Sequence, residues 1–272
     1  MPETDLTIPG EAAAITAAGS GIGRQIARQL ADAGVDVAVN DVDGEALADT
    51  EDALADCAGE VVTVEGDAAD PDDMERFVGR AVETFGGLDI LVNNVGVAGP
   101  TKPCEEITHE EFMGTLEVNH GGQYTATRAA IPHLADGESD AGNGDAHGRI
   151  VNLASQSGKR PLRDRTPYTT AKLGVVGFTR TLAVELADRG VTVNAVCPGS
   201  VRGPRLDAVI EGQAESQGRS FEDVEAEFRS VSPMDSLVEA GDVADTVLFL
   251  CSERAERVTG QDVNVTAGVT MY

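Results

Sequence analysis

Seven short runs of β-prone apolar residues recur along this chain, at 12–16 (AAAIT), 35–39 (VDVAV), 61–64 (VVTV), 88–92 (LDILV), 149–153 (RIVNL), 191–196 (VTVNAV) and 262–265 (DVNV). Longer segments with helical period separate them, such as 22–33 (IGRQIARQLADA) and 71–85. Strands that alternate with helices of ten or more residues are joined by right-handed crossovers, which forces a parallel sheet with helices on both faces. A doubly wound α/β sheet of about seven strands is therefore expected, and 272 residues fits a single domain over 1–272. Two segments break the rhythm. Residues 135–148 (ADGESDAGNGDAHG) are polar and Gly-rich and read as a surface loop. Residues 204–233 are the least regular part of the chain, with Phe221, Val224 and Phe228 on one helical face. They read as core packing or, given where they fall, as a substrate lid.

The stretch TAAGSGIGR, residues 16–24, follows the first strand directly and opens a helix. Glycines in that setting let the backbone approach a pyrophosphate, whose charge is stabilised by the amides and dipole at the helix N-terminus. Ala17, Ser20, Gly21, Ile22 and Gly23 are the candidate contacts. Asp41 closes the second strand in VNDVD, 18 residues beyond Gly23. A carboxylate there can accept hydrogen bonds from an adenosine ribose and repels a 2′-phosphate, which points to NAD rather than NADP. The alternative for Asp41 is a turn residue ahead of Gly44.

The turn, together with GDAAD (66–70) and NNVG (93–96), resembles the TGxxxGxG, adenine-contacting Asp and NNAG motifs of the classical short-chain dehydrogenases/reductases. The resemblance runs from about residue 10 to 270. It implies a Rossmann-type fold in which Asp67 and Ala68 meet the adenine and Asn94 and Gly96 line the cofactor groove. One position departs from the pattern: Ala17 stands where the family has its first glycine, so a methyl is expected to shift the turn slightly, with Gly19 supplying flexibility nearby.

Tyr168 and Lys172 are four residues apart and share a helix face. The chain holds three Tyr and three Lys in all, so this pairing is rare by chance. Its chemical sense is proton transfer. Reducing a ketone leaves an alkoxide that needs a proton, and alcohol oxidation needs the reverse. An ammonium about 5 Å from a phenolate, at an effective dielectric of about 20, is worth roughly 3 kcal/mol, and a compact ammonium also fits beside a ribose. The family resemblance adds two partners. Ser155, 13 residues before Tyr168 at the end of RIVNLAS, is implied to hydrogen-bond the reacting oxygen. Ser157 is the weaker alternative. Asn119 in EVNHGG matches the helix-interrupting Asn that holds a relay water. Downstream, NAVCPGSVRG resembles the PG motif that closes over the nicotinamide, implicating Pro198, Gly199 and Val201. Gly203 stands where many relatives have Thr, with Ser200 or the Val201 backbone as substitutes. Gly174 and Gly177 within the Tyr-bearing segment each cost about 1 kcal/mol relative to Ala. Close approach of a second helix, as in the family's dimer and tetramer interfaces, would explain them.

Charge narrows the partners. The chain has 47 acids against 20 basic residues, 17 of them Arg, for a formal net charge of -27. Such a surface repels nucleic acid and anionic membranes and opposes its own compaction in dilute buffer. At about 1 M ionic strength the screening length falls to roughly 3 Å, and the composition resembles that of proteins from salt-accumulating halophiles. An ordinary acidic cytosolic protein is the alternative. There is no basic leader followed by an apolar run and no stretch near 18 apolar residues, so the chain reads as cytoplasmic. Cys57, Cys104, Cys197 and Cys251 are scattered, without metal-ligand spacing, and read as reduced thiols with no metal site.

Against this background Lys159, Arg160, Arg163 and Arg165 fall between Ser155 and Tyr168, and Arg202 and Arg205 follow the PG motif. They border one pocket mouth in the implied fold. Arg160, Arg163, Arg202 and Arg205 are candidate contacts to an anionic substrate. The competing reading pairs them with Asp164, Asp207 or acids of the lid. The expected function is NAD(H)-dependent interconversion of a secondary alcohol and a ketone, by a homodimer or homotetramer acting on a small molecule. Candidate anionic substrates are a hydroxy acid, a sugar acid or an acyl thioester. An isomerase or lyase working through a transient ketone and a non-catalytic dinucleotide sensor are the alternatives.

Overall fold

In the computed structural model, residues 6–10, 12–134 and 148–272 are described; most of the loop expected at 135–148 lies outside them. The elements run β1 (Ala12–Ile15), α1 (Gly21–Asp32), β2 (Asp36–Asp41), α2 (Gly44–Leu54), β3 (Val61–Glu65), α3 (Pro71–Phe85), β4 (Ile90–Asn93), α4 (His109–Leu116), α5 (Gly122–Ala130), β5 (Gly148–Leu153), α6 (Gln156–Lys159), α7 (Thr166–Glu185), β6 (Val191–Pro198), α8 (Pro204–Gln217), α9 (Phe221–Ser230), α10 (Ala240–Cys251) and β7 (Asp262–Val265). The strands form one sheet in the order β3-β2-β1-β4-β5-β6-β7, all neighbours parallel. The order reverses between β1 and β4, and in such sheets the crevice at the strand ends of that reversal is where ligands sit.

Local sequence explains the elements. β4 and β6 are buried along their whole length, so they read as near-continuous apolar runs rather than alternating ones. In α3, the Asp70 side chain accepts from the backbone N–H groups of Asp72 and Asp73, Pro71 occupies the first turn, and Gly86 ends the helix in the left-handed region at φ 81°. Between those signals Met74, Phe77, Val78 and Ala81 recur at helical spacing and are buried. Each large side chain removed from water stabilises the fold by about 1.5–3 kcal/mol. The sheet carries an apolar layer on each face, one built with Ile26, Leu30 and Val247 and the other with Phe77, Val78 and Leu182.

Residues 204–233 contain two helices, α8 and α9, where the sequence looks least regular. Ile210 and Ala214 of α8 and Val224 of α9 form a small cluster of their own, with Leu206, Phe221 and Phe228 packed against it. The cluster is small, so the apolar period along this segment is faint and its helices are hard to read from sequence.

Candidate active site

Two adjoining cavities open along the reversal of the sheet. One, of about 520 Å³, is lined by Ala17, Ser20, Gly21, Ile22, Asp41, Asp67, Ala68, Asn94, Gly96, Val201 and Arg202, among others. The other, of about 450 Å³, is lined by Ile22, Asn94, Gly96, Ser155, Arg163, Tyr168, Lys172, Pro198, Gly199 and Val201, with Ala98, Thr101, Gln156, Leu162, Arg165, Leu206 and Phe228 completing much of its wall.

The first cavity fits a dinucleotide. Helix α1 points its N-terminus at it, has no acid in its first turn, and its N-cap Ser20 makes no side-chain capping bond; all three suit an approaching anion. The close approach is built in. A methyl on Gly23 would lie 2.5 Å from both the Ala17 carbonyl oxygen and Asn94 Nδ2, so Gly23 lies beneath the turn rather than in the cavity wall. Asn94 Nδ2 in turn donates to the Ala17 carbonyl at 2.7 Å, locking the turn to the end of β4. Ala17 is held at φ 50° and Gly21 at φ 55°. The turn thus keeps the left-handed geometry a glycine would favour and bears the strain of a methyl there, about 1–2 kcal/mol. Asp41 Oδ2 accepts from the Gly19 N–H at 2.9 Å, which ties the tip of β2 to the same turn. Arg24 braces it from below, donating to the carbonyls of Gly19 and Ala46 and to Thr50 Oγ1 at 2.8 Å.

The second cavity has a floor of buried polar groups. Lys172 is 4% exposed, its Nζ donates to the Leu153 carbonyl at 2.8 Å and lies 6.0 Å from the Tyr168 ring centroid. Ser155 caps the short α6 with its Oγ accepting from the Ser157 N–H at 3.1 Å. Asn119 is fully buried in a π-helical turn, Glu117–Gly121, between α4 and α5. The wide turn lets Asn119 Nδ2 donate to the carbonyls of Val97 and Thr115 at 3.0 and 2.9 Å. Its Oδ1 has no partner among the described residues. Gly96 keeps open the space between Asn119 and Lys172: a methyl there would be 2.7 Å from Asn119 Oδ1 and 3.1 Å from Lys172 Nζ. A buried oxygen facing such a gap suits a water linked to the ammonium. Beside it, His120 packs edge-on to Phe178 at 5.6 Å. Burial lowers its pKa from the ordinary 6.5, with a further push from the Lys172 charge.

The basic residues divide. Lys159 faces away from the cavity, in an ion pair with Asp262 at 2.8 Å and a hydrogen bond to Asn264. Burial alone would raise the Asp262 pKa, but its bonds to Lys159 and Arg180 outweigh that and hold it low. Arg160 is exposed and lines neither cavity. Arg202 borders the dinucleotide cavity but is held by Glu225 of α9 at 2.7 Å and Glu239 at 3.1 Å; these bonds keep it charged. This is the arrangement of the competing reading, in which Arg202 pairs with an acid of the 204–233 segment. The Arg205 side chain lies outside what is described. Arg163 lines the cavity mouth with its side chain 93% exposed.

Sequence reasoning passed over Arg165 as a site residue. Its guanidinium carbon lies 4.6 Å from the Tyr168 ring centroid, and Nη1 donates to Thr101 Oγ1 at 2.8 Å. The three-residue spacing to Tyr168 is the signal that could have found it. Among the described residues no group of His, Cys, Asp or Glu could hold a metal ion, and no helix is long and apolar enough to cross a membrane.

A family model described as enoyl-(acyl carrier protein) reductase matches residues 16–270. The chain is 34% identical over 97% of its length to a hydroxy(phenyl)methylsuccinyl-CoA dehydrogenase subunit of Thauera aromatica, covering 98% of that protein. It is 33% identical over 95% of its length to a D-beta-hydroxybutyrate dehydrogenase of Rhizobium meliloti, covering 98% of it. Its fold matches the crystal structure of an actinorhodin polyketide ketoreductase with NADPH at a TM-score of 0.87 and 34% identity, over 98% of this chain and all of the other.

Proposed function

Because this chain belongs to the short-chain dehydrogenase/reductase family, an oxidoreductase family acting on secondary alcohols and ketones with a nicotinamide dinucleotide, we propose that it is an NAD(H)-dependent enzyme that uses Tyr168 as its proton donor and acceptor. A nicotinamide dinucleotide held along Gly21, Asp41 and Asn94 would supply or take the hydride. In the reductive direction Tyr168 gives its hydroxyl proton to the carbonyl oxygen, and in the oxidative direction it takes the proton back. Ser155 donates a hydrogen bond to that oxygen as charge develops. Lys172 would hold the ribose of the cofactor, and Asn119 would keep the relay water near its Nζ.

The observation that carries this reading is the buried Lys172, anchored on the Leu153 carbonyl 6.0 Å from the Tyr168 ring, in the same cavity wall as Ser155. The test is Tyr168→Phe assayed for dinucleotide absorbance change with an alcohol panel. A fall of about 10³-fold or more with an unchanged melt is expected; retained turnover sinks the reading. The preference for NAD rests on Asp41, whose carboxylate at the tip of β2 lines the dinucleotide cavity where a 2′-phosphate would meet like charge. An anionic substrate is supported by the arginines at the mouth of the second cavity.

Self-association is part of the same proposal. Leu173 and Val184 stand exposed at 53% and 79% along one stripe of α7, and a methyl on Gly177 of that stripe would meet nothing within 4 Å. A helix of a second copy can approach closely there. Light scattering that gives a monomer would remove this element. The acidic surface is read as salt adaptation, so the melting temperature should fall when KCl drops from 2 M to dilute buffer; an unchanged melt counts against it.

A further inference from the structure

Helix α6 is a single turn that begins right after Ser155, and a helix so short cannot hold its own geometry. Its place is set from outside at three points. At its start the Ser155 Oγ accepts from the Ser157 N–H at 3.1 Å, so the hydroxyl proton remains available for donation. On its flank a methyl on Gly158 would lie 2.8 Å from the Lys172 carbonyl carbon and 2.9 Å from the Leu173 nitrogen; α6 therefore rests directly on the backbone of α7 beside Lys172. At its end Lys159 reaches β7, the edge strand of the sheet. Its Nζ pairs with Asp262 Oδ2 at 2.8 Å and donates to the Asp262 carbonyl at 3.1 Å and to Asn264 Oδ1 at 2.9 Å. The three donors of an ammonium thus meet three oxygens, with the Lys159 and Asp262 side chains 11% and 15% exposed. The other carboxylate oxygen of Asp262 takes Arg180 of α7 at 3.0 Å. One acid on the edge strand ties the helix that starts after Ser155 to the helix that carries Tyr168 and Lys172. In a chain of 17 Arg and three Lys, an ammonium is kept where a planar guanidinium would present a different donor geometry.

We propose that Lys159 is a positioning residue for the reaction: locked on Asp262 and Asn264, it fixes the turn of α6 and with it the direction in which Ser155 offers its hydroxyl to the reacting oxygen. The inference rests on the reading of Ser155 as the hydrogen-bond donor to that oxygen. Lys159 lines neither cavity, so it acts through the groups it holds.

The test is Lys159→Met, which leaves Asp262 its bond to Arg180 and so strands no buried charge. With NAD and an alcohol in molar KCl, kcat should fall about 10- to 30-fold, as for a misplaced catalytic group, while the Kd for NADH, read by fluorescence, stays within about threefold of wild type. In a Ser155→Ala background the same substitution should cost less than about twofold, because groups that act as one unit are not additive. An equal loss in both backgrounds, no loss in the wild type, or NADH affinity that falls as far as kcat overturns the proposal. Hydrogen exchange gives a readout independent of turnover: the Ser157 and Gly158 amides should exchange about tenfold or more faster in Lys159→Met, with the amides of β4 at wild-type rates. Unchanged exchange at Ser157 and Gly158, or the same acceleration in β4, overturns it too and decides the matter if no alcohol is oxidised. Should Lys159→Met fail to fold, Lys159→Met combined with Asp262→Leu, which removes both members of the shielded pair, carries the same expectations. Ser155→Ala alone reports on the underlying reading separately: full turnover there removes Ser155 as the donor, and the proposal with it, whatever the exchange rates.

Discussion

The floor of the catalytic cavity and its roof are held by opposite kinds of interaction. On the floor, Lys172 and Asn119 are buried and tied to main-chain carbonyls of Leu153, Val97 and Thr115. Buried charge and amide groups tolerate only geometries that satisfy them, which makes such sites rigid. The roof, α8 and α9, has its own small apolar cluster. Among the described residues its ion pairs to the body include the half-exposed Arg202 to Glu225. Surface pairs of this kind contribute about 0–1 kcal/mol each. The groups expected to do the chemistry thus sit in the tightly bonded wall of the cavity, opposite Leu206 and Phe228 of α8 and α9.

That contrast is open to attack. The largest expected effect comes from Gly96→Ala on the floor, whose methyl would press on Asn119 Oδ1 and Lys172 Nζ; kcat should fall about 100-fold, as for an ångström-scale misplacement of catalytic groups. A loss below threefold would show the floor to be pliable. Next, Asp41→Ser should shift the NAD to NADP preference by about tenfold or more, one like-charge repulsion being worth roughly 1.4 kcal/mol. No change in the ratio of kcat/KM values would detach Asp41 from cofactor choice. On the roof, Arg202→Gln should raise KM about three- to tenfold with kcat nearly intact, and speed proteolytic cutting within 204–233. A kcat loss equal to that of Gly96→Ala would erase the distinction.

Smaller effects read stability. His120 is kept neutral by burial and by Lys172, so the unfolded chain binds its proton more readily. Its contribution is intact above its ordinary 6.5 and is lost as pH falls below that value. His120→Gln should therefore flatten the fall in melting temperature on the acid side; an unaltered pH profile would contradict this. Ala17→Gly relieves the φ 50° strain while adding unfolded-chain entropy, for a net gain of about 0.5 kcal/mol. A lower melting temperature would mean the methyl contributes packing that outweighs its strain.

The same contrast explains what could be read from the chain beforehand. All seven strands lie where apolar runs occur, because buried parallel strands leave a dense signature. Tyr168, Lys172, Ser155 and Asn119 stand out because their chemistry fixes residue type and spacing, and the structure gathers them around Gly96 and the second cavity. The helices of the roof are obscure because the apolar cluster between them is small. The sorting of the arginines is obscure for another reason. Whether Arg202 meets a substrate or Glu225 depends on α9 folding back over the PG turn, a contact across more than twenty residues that no local pattern encodes. Arg165 and Arg163, two residues apart, differ in exposure, and one contact that sets Arg165 apart is with Thr101 from a distant loop.

The separate apolar cluster of α8 and α9 has a consequence for how such an enzyme changes its diet. A segment with an apolar cluster of its own can be exchanged as a cassette between relatives, with the proton-handling machinery left untouched. Grafting residues 204–230 from a homologue would then import the donor's tolerance for bulk while Tyr168, Lys172, Ser155 and Asn119, which lie outside the cassette, stay in place.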